Sequence, residues 1–387
     1  MMKDILIITN YYPPETGAAS NRIFHLAEGL QKNHFNVSIL TPLPNYPRGH
    51  IFNDYKGKFK YFSIENNIKV HRLWIYASNS KNKIIRLFTM LSYSISLIWF
   101  IATNKIPNRV IVQSPPLIVA FTSMLFLRSK GRKLILNVSD LWPLAGYELR
   151  ALKKNFSYKL LEKIEYYNYK HAHLILGQSE EILSHVQSKL PKKQTFKYRN
   201  YPIIETLDNK LEPLPNKKLK IVYAGLLGVA QGIHRLCQEL DYSNIEFHIY
   251  GDGAERVQIE KFIKTKNELP IYYHGELTRH ELHKTIIQYD IAIIPLLNRI
   301  YGSVPSKIFE YSKLGLPILY FGGGEGELLI KQNDLGWIAD AGNYNELNNV
   351  ISSIIGTELS KKGAIVQKIA NKKFDFNNQL SDLINLI

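Results

Sequence analysis

Lys307 and Glu310 stand three residues apart in VPSKIFEYSKLGLPI (304–318), a stretch punctuated like a short helix. Pro305 suits a first helical turn, Ser306 suits its cap, and Gly315-Leu316-Pro317 ends it. Lys307 sets a cation beside the unpaired N–H groups of the helix start, and together they make an anion site. Glu310, one turn on and on nearly the same face, offers a carboxylate able to accept two hydroxyl hydrogens. Phosphate followed by ribose is the order of a nucleotide. The plainer alternative is a surface i, i+3 ion pair between the two side chains.

Other loops carry small residues at matching places. Gly225 and Gly228 stand in AGLLGVAQGI, Gly251-Asp252-Gly253 in IYGDGAE, and His274-Gly275 ahead of Thr278, an N-cap with Glu281 three residues later. Each follows an apolar run and precedes a helical one, where a missing side chain lets a ligand reach backbone amides. Gly17-Ala18-Ala19 repeats the device near the N-terminus, with a plain strand-to-helix turn as the alternative. Neither the dinucleotide GxGxxG fingerprint nor a GxxxxGK[ST] P-loop occurs.

These loops must be held by strands, and the sequence supplies them. Apolar runs at 5–9, 36–41, 69–75, 109–114, 133–140 and 174–179 alternate with helical stretches, and the pattern restarts at 219–225, 245–251, 271–275, 291–296 and 317–322. Stacked βα units of this kind predict an α/β fold with mainly parallel sheets. Two doubly wound, Rossmann-like domains facing a cleft are expected, with ligands at the carboxyl ends of the strands. The expected boundaries are 1–204, a polar linker at 205–218, a second domain at 219–370, and a C-terminal helix at 371–387 that crosses back to the first domain.

The chain has 387 residues and a formal net charge of +16, distributed unevenly. Residues 1–205 hold 29 Lys/Arg against 12 Asp/Glu, whereas 206–387 hold 20 against 21. A basic first domain facing an anionic partner follows, with membrane surface, nucleic acid and polyphosphate all open on charge alone. A single cysteine, Cys237, excludes an intramolecular disulfide framework, and the apolar run at the N-terminus is too short for a signal peptide. A cytoplasmic location is the expectation.

Taken together, YYPPETGAASNRIFHLAEGL, VSDLWP (138–143), YAGLLGVAQGI (223–233), YGDGAE (250–255) and VPSKIFEYSKLGLPI resemble the retaining GT-B glycosyltransferases of family 4, especially the fucosamine-transferase-like enzymes of bacterial O-antigen and capsule synthesis. The resemblance spans nearly the whole chain. It implies that Glu310 holds the ribose of a sugar nucleotide, UDP-linked by preference, that Ser306 and Lys307 hold the diphosphate, and that 251–253 with His274-Gly275 border the base. Gly17, Gly225 and Gly228 join the donor loops. Two departures stand out. Gly302 occupies the place of a widespread first Glu eight positions before Glu310, and GLLGVAQG lacks the Arg and Lys common after the first strand of the second domain. Leu226 and Ser139 also depart, from Asn and Arg respectively.

Retaining transfer needs a stabilised leaving group more than a strong acid, a task for Lys307 and the helix start. No DxD in an apt place and no Cys/His cluster calls for a metal, and no cofactor is expected. Asp140, at the end of 133–140, is the candidate to orient or deprotonate the acceptor hydroxyl, with helix capping as its alternative. Arg22 and Arg72 are candidates for an acceptor or donor phosphate, with His71 and Asn137 behind them; a solvated helix arginine is the alternative for Arg22.

Between Arg86 and Lys105 lie 18 uncharged residues, enough for a helix of about 27 Å. A membrane crossing would split strands 5–9 and 109–114 from one sheet. A surface helix with Thr89, Ser92, Ser96 and Thr103 as a polar stripe fits better, anchored by Arg86, Trp99 and by Lys56, Lys58 and Lys60 among aromatics. Lys81 and Lys83 precede it, and a buried core helix is the alternative. The expected partners are thus a nucleotide sugar, a polyprenyl-diphosphate-linked glycan and an anionic membrane, with the protein peripheral on the inner face. Rival readings are a GT-B sugar-nucleotide epimerase or hydrolase and a non-catalytic basic surface- or nucleic-acid-binding protein. No RNP-type or helix-turn-helix motif supports nucleic acid.

Overall fold

The computed structural model describes residues 3–80, 82–129, 131–204 and 218–387, apart from the side chain of Lys83. The chain divides into two compact units. Met1–Asn200, Ile300–Ser303 and Phe376–Ile387 form the first; Tyr201–Arg299 and Val304–Asp375 form the second. The division therefore falls at Asn200, ahead of the 205–218 segment, of which 205–217 lie outside the described residues, as does Lys81.

The first unit contains β1 (Lys3–Ile8), α1 (Ala18–Lys32), β2 (Phe35–Pro42), β3 (Lys60–Glu65), β4 (Ile68–Leu73), α2 (Lys83–Thr103), β5 (Arg109–Ser114), α3 (Leu117–Leu127), β6 (Lys133–Val138), α4 (Leu144–Glu148), α5 (Phe156–His171), β7 (Leu174–Gly177), α6 (Glu180–Lys189) and β8 (Thr195–Lys197). Its sheet runs β3-β4-β2-β1-β5-β6-β7-β8, and only the β3–β4 pair is antiparallel among the described strands. The core of this order, reversing between β1 and β5, is the doubly wound arrangement. β3 escaped the sequence reading because its residues alternate between exposed and half-buried with no apolar run. Its signal was the two-residue loop Asn66-Asn67, both at positive φ (49° and 62°), which closes a hairpin with the sheet's twist.

The second unit contains β9 (Leu219–Ala224), α7 (Ile233–Glu239), β10 (Ile245–Tyr250), α8 (Arg256–Thr265), β11 (Ile271–Tyr273), α9 (Arg279–Ile286), β12 (Ile291–Pro295), α10 (Lys307–Lys313), β13 (Ile318–Phe321), α11 (Glu325–Gln332), β14 (Gly336–Ala339), α12 (Tyr344–Ile354) and α13 (Leu359–Lys373). Its parallel sheet has the order β11-β10-β9-β12-β13-β14, which reverses between β9 and β12. Burial on both faces explains why these strands read as unbroken apolar runs. Ile221, Tyr223, Ile291 and Ile293 enter one core, while Val222, Ala224, Ala292 and Ile294 enter the other.

The last helix, α14 (Phe376–Leu386), belongs to the first unit and packs on α1. Gly29 makes this contact possible. A β-carbon there would stand 2.5 Å from Leu380 Cδ2 and 3.0 Å from Phe376 Cε1.

α2 is not a core helix. Only 22% of its most apolar window is buried. Tyr93 and Leu97 face the core, and two residues of the polar stripe turn inward too: Ser96 Oγ donates to Trp74 O at 2.8 Å, and Tyr76 N donates to Ser92 Oγ at 2.9 Å, while Thr103 is exposed. Ile84, Phe88, Leu91, Ile95 and Trp99, spaced at three and four residues, form an exposed apolar stripe.

Candidate active site

In the second unit the glycine loops after β9, β10 and β11 lock onto one another through backbone. Gly225 N donates to Tyr250 O at 2.9 Å, Gly251 N to Gly275 O at 2.8 Å, and Leu227 N to Asp252 O at 2.9 Å. A β-carbon on Gly251 would lie 1.9 Å from Gly225 O, so only glycine permits this approach. Gly253 is as tightly placed against Leu227 O, at 2.5 Å. Gly228 turns the same loop toward α7, its carbonyl accepting from Gln231 N and Gly232 N.

Across the switch point, the β12-to-α10 loop brings Lys307 against the Gly225 loop. Its ammonium donates to Tyr311 Oη at 3.3 Å, and Tyr311 Oη in turn donates to Ala224 O at 2.9 Å. Tyr223 and Tyr311 present ring faces to the cation at 5.7 and 5.5 Å. Burial pulls the Lys307 pKa down to about 8, with the charge of Glu310 opposing the shift. The Ser306 side chain makes no cap bond to α10 and so keeps its hydroxyl for another partner.

Glu310 does not pair with Lys307. Its Oε1 accepts from His283 Nε2 at 2.7 Å and from Arg279 Nε at 3.1 Å, both on α9. No described residue donates to Oε2. Burial alone would raise this carboxyl, yet the His283 hydrogen bond and the charges of Arg279 and Lys307 bring it down to about 2. The surface ion-pair alternative is thereby excluded. Sequence reading found the Thr278/Glu281 capping box that starts α9, and the structure contains it. It missed Arg279 and His283, whose i, i+4 spacing right after that cap was the available signal.

His274 follows β11 and stacks on Tyr250 at 4.5 Å, while its Nε2 lies 3.0 Å from His248 Nδ1. Burial lowers the pKa of both histidines, that of His248 to about 4. This flat, neutral surface lies beside Gly275.

In the first unit a polar chain crosses the carboxyl ends of four strands. Thr9 Oγ1 donates to Gln113 Oε1 at 2.8 Å, Gln113 Nε2 to Ser139 Oγ at 3.4 Å, and Gln178 Nε2 to Ser139 O. Arg22 closes it, donating to Asn137 Oδ1 at 2.6 Å, Tyr198 O at 2.7 Å and Gln178 Oε1 at 3.3 Å. Arg22 is 3% exposed, so neither the phosphate role nor the solvated alternative holds: it is a buried clamp. Arg72 corrects likewise. At 1% exposure it is spent on Glu65 (2.7 and 3.2 Å), Ser63 Oγ and Pro13 O, and offers no anion site. His71 is wedged between Phe62 and Phe100, and Asn137 is fully buried under Arg22.

Asp140 is different. It is half-buried, and no described residue donates to its carboxylate. Burial raises its pKa, with Arg22 acting the other way. Gly17 lies in this unit too, as the N-cap position of α1, apart from the other donor-loop residues, which belong to the second. Gly302 also clusters here at φ +86°, its N–H donating to Glu181 Oε2 at 2.7 Å and its carbonyl accepting from Ser179 Oγ at 2.8 Å. A β-carbon at 302 would meet Ile182 Cγ1 at 2.9 Å, which accounts for the absent glutamate. Lys56, Lys60, Arg86 and Trp99 are exposed; Lys58 is exposed as well and sits 4.4 Å over the Tyr61 ring.

Among the described residues no group of three His, Cys, Asp or Glu side chains is placed to hold a metal ion. Residues 218–357, which include Lys307, Glu310, α9 and the three glycine loops, match the family described as "Glycosyl transferases group 1". A protein of Escherichia coli strain K12, named as the colanic acid biosynthesis glycosyl transferase WcaI, is 22% identical over 282 residues, covering 68% of this chain and 69% of the relative. The protein is a glycosyltransferase. Its fold agrees over the full length with solved structures. Sucrose-phosphate synthase from Thermosynechococcus elongatus gives a TM-score of 0.73 at 12% identity, covering 99% of the transferase and 98% of that chain. Anabaena HepE, in complex with UDP and glucose, gives 0.66 at 12% identity and covers 100% of each. The transferase thus has the GT-B fold of two Rossmann-like domains.

Proposed function

We propose that this glycosyltransferase moves a sugar, with retention, from UDP-sugar to a polyprenyl-diphosphate-linked glycan at an anionic membrane, in surface polysaccharide synthesis of the O-antigen or capsule kind. The observation that carries this reading is the presence on one short helix at the β9/β12 switch point of a desolvated ammonium, Lys307, and, one turn on, an ionised carboxylate, Glu310, that is anchored by α9 instead of by the lysine. Lys307 and Ser306 receive the diphosphate, the free Oε2 of Glu310 receives ribose hydroxyls, and the Tyr250–His274 surface with Gly275 borders the base. Gly225, Gly228, Gly251 and Gly253 keep the backbone near enough to line the donor.

As the bond from the sugar C1 to the diphosphate oxygen breaks, negative charge grows on the leaving group and is met by Lys307. The acceptor oxygen bonds to C1 on the face vacated, and Asp140 takes the acceptor proton. No metal is needed for these roles. HepE was solved with UDP and glucose, and WcaI is named for colanic acid, which supports the donor and pathway class. The exposed apolar stripe of α2, with Arg86 on the same helix, Lys60 Nζ 6.0 Å from the Trp99 ring and Lys56 and Lys58 exposed just before Lys60, supports a peripheral attachment to lipid.

A thermal-shift screen of UDP-, GDP- and ADP-sugars tests the donor class. A rise with UDP-sugars alone is expected; a response only to GDP or ADP forms, or to none, contradicts it.

A further inference from the structure

A cavity of about 670 Å³ opens where α3 and α5 end, at the edge of the first unit away from the strand carboxyl ends. Arg128, Lys170, His171, His173, Lys192 and Lys193 line it, and no acidic residue does among the described residues. Hydrogen bonds fix how these groups are used. Lys193 Nζ donates to Lys170 O and Ala172 O at 3.1 and 2.8 Å, so it caps α5. His171 Nδ1 lies 2.9 Å from Tyr167 O, so that nitrogen carries the proton, and Nε2 is free to accept from Arg128 Nη1 at 3.3 Å. His173 Nδ1 accepts from Leu134 N at 3.2 Å, which leaves its proton on Nε2 as a donor. The ammonium groups of Lys170 and Lys192 have no partner among the described residues. Capping thus explains Lys193, and leaves Arg128, Lys170, His173 and Lys192 as donors around a cavity without a counter-charge among the described residues.

The exposed Leu125 and Phe126, 39% and 49% accessible, stand on the last turn of α3, separated from Arg128 by the buried Leu127. α3 packs on α2, whose outer stripe is apolar along its length. Apolar side chains beside phosphate donors match one ligand chemistry, a lipid with acyl chains and an anionic headgroup. We infer that this cavity binds the phosphate of an anionic phospholipid headgroup while Leu125 and Phe126 enter the acyl region beside it. The inference rests on the membrane attachment proposed above and extends it to residues at the far end of the helical layer.

The test is vesicle titration of the full-length protein with phosphatidylglycerol/phosphatidylethanolamine and with phosphatidylcholine alone. Arg128→Glu/Lys170→Glu/Lys192→Glu is compared with Lys261→Glu/Lys331→Glu/Lys372→Glu, which makes the same change in net charge on the exposed surface of the second unit. Melting curves confirm folding. The cavity variant should weaken binding to phosphatidylglycerol vesicles at least tenfold and the control less than twofold, with Leu125→Ser/Phe126→Ser weakening it at high salt as well. Equal effects of the two charge variants overturn this inference alone. Failure of the wild type to bind anionic vesicles overturns the membrane reading and this one with it.

Discussion

The Lys307 ammonium occupies the space a side chain would take on Gly225: a β-carbon there would stand 2.5 Å from Lys307 Nζ and 2.8 Å from Cε. One residue directly follows the first strand of the second sheet and the other begins the helix after the fourth, so the two bracket the switch point. Gly225→Ala should push the lysine tip aside, because a flexible end yields before backbone does. UDP binding measured by calorimetry should weaken about tenfold, near 1.4 kcal/mol. Lys307→Ala, which deletes the charge, should cost more.

Glu310 is tested by its ligand. Hydrogen bonds to a charged group contribute about 1.5–3 kcal/mol, so Glu310→Gln should weaken UDP roughly tenfold or more. A 2′,3′-dideoxy nucleotide should bind wild type and variant alike. A matching loss with the dideoxy form would mean that Glu310 serves the fold and not the ribose.

The pH dependence follows from Lys307. Its charged form binds the diphosphate, and burial lowers its pKa to about 8, so the ammonium is present below that pH and lost above it. UDP affinity should therefore be level at neutral pH and fall as pH rises through about 8. Lys307→Arg, which stays charged, should abolish the alkaline fall even if it binds less well.

For Asp140, a group raised by burial and without a donor among the described residues, the Asn substitution should lower kcat about a hundredfold or more with the donor KM little changed. A rise in KM at constant kcat would assign it to binding.

Packing supplies a stability prediction. Gly29→Leu drives a side chain into Leu380 and Phe376, and should lower unfolding free energy by about 1–3 kcal/mol in denaturant titration.

How much was legible depended on whether a residue's task was local. Strands buried on both faces announced themselves as apolar runs, and the α9 capping box could be read from Thr278 and Glu281. Short or exposed strands such as β3, β8 and β14 have too little apolar length to register. Lys307 and Glu310 were singled out by their spacing around a helix start; Tyr311, the partner of Lys307, lies four residues on along the same helix, whereas Arg279 and His283 reach Glu310 only by tertiary contact. Arg22 and Arg72 misled for one reason: an arginine near a strand end looks available to phosphate until its buried acceptors are seen. Of the polar stripe expected on α2, Ser92 and Ser96 turn toward the protein and Thr103 stays exposed, a division that only the tertiary contacts of Trp74 and Tyr76 decide.

The most direct test supplies labelled UDP-sugar and membranes bearing polyprenyl-diphosphate-linked acceptor, then partitions the label between water and organic solvent. Label should enter the lipid extract with wild type, and at a rate at least a hundredfold lower with Lys307→Ala. Free sugar in the aqueous phase, or unchanged transfer by both Lys307→Ala and Glu310→Ala, would contradict a donor site built on these two residues for transfer to lipid.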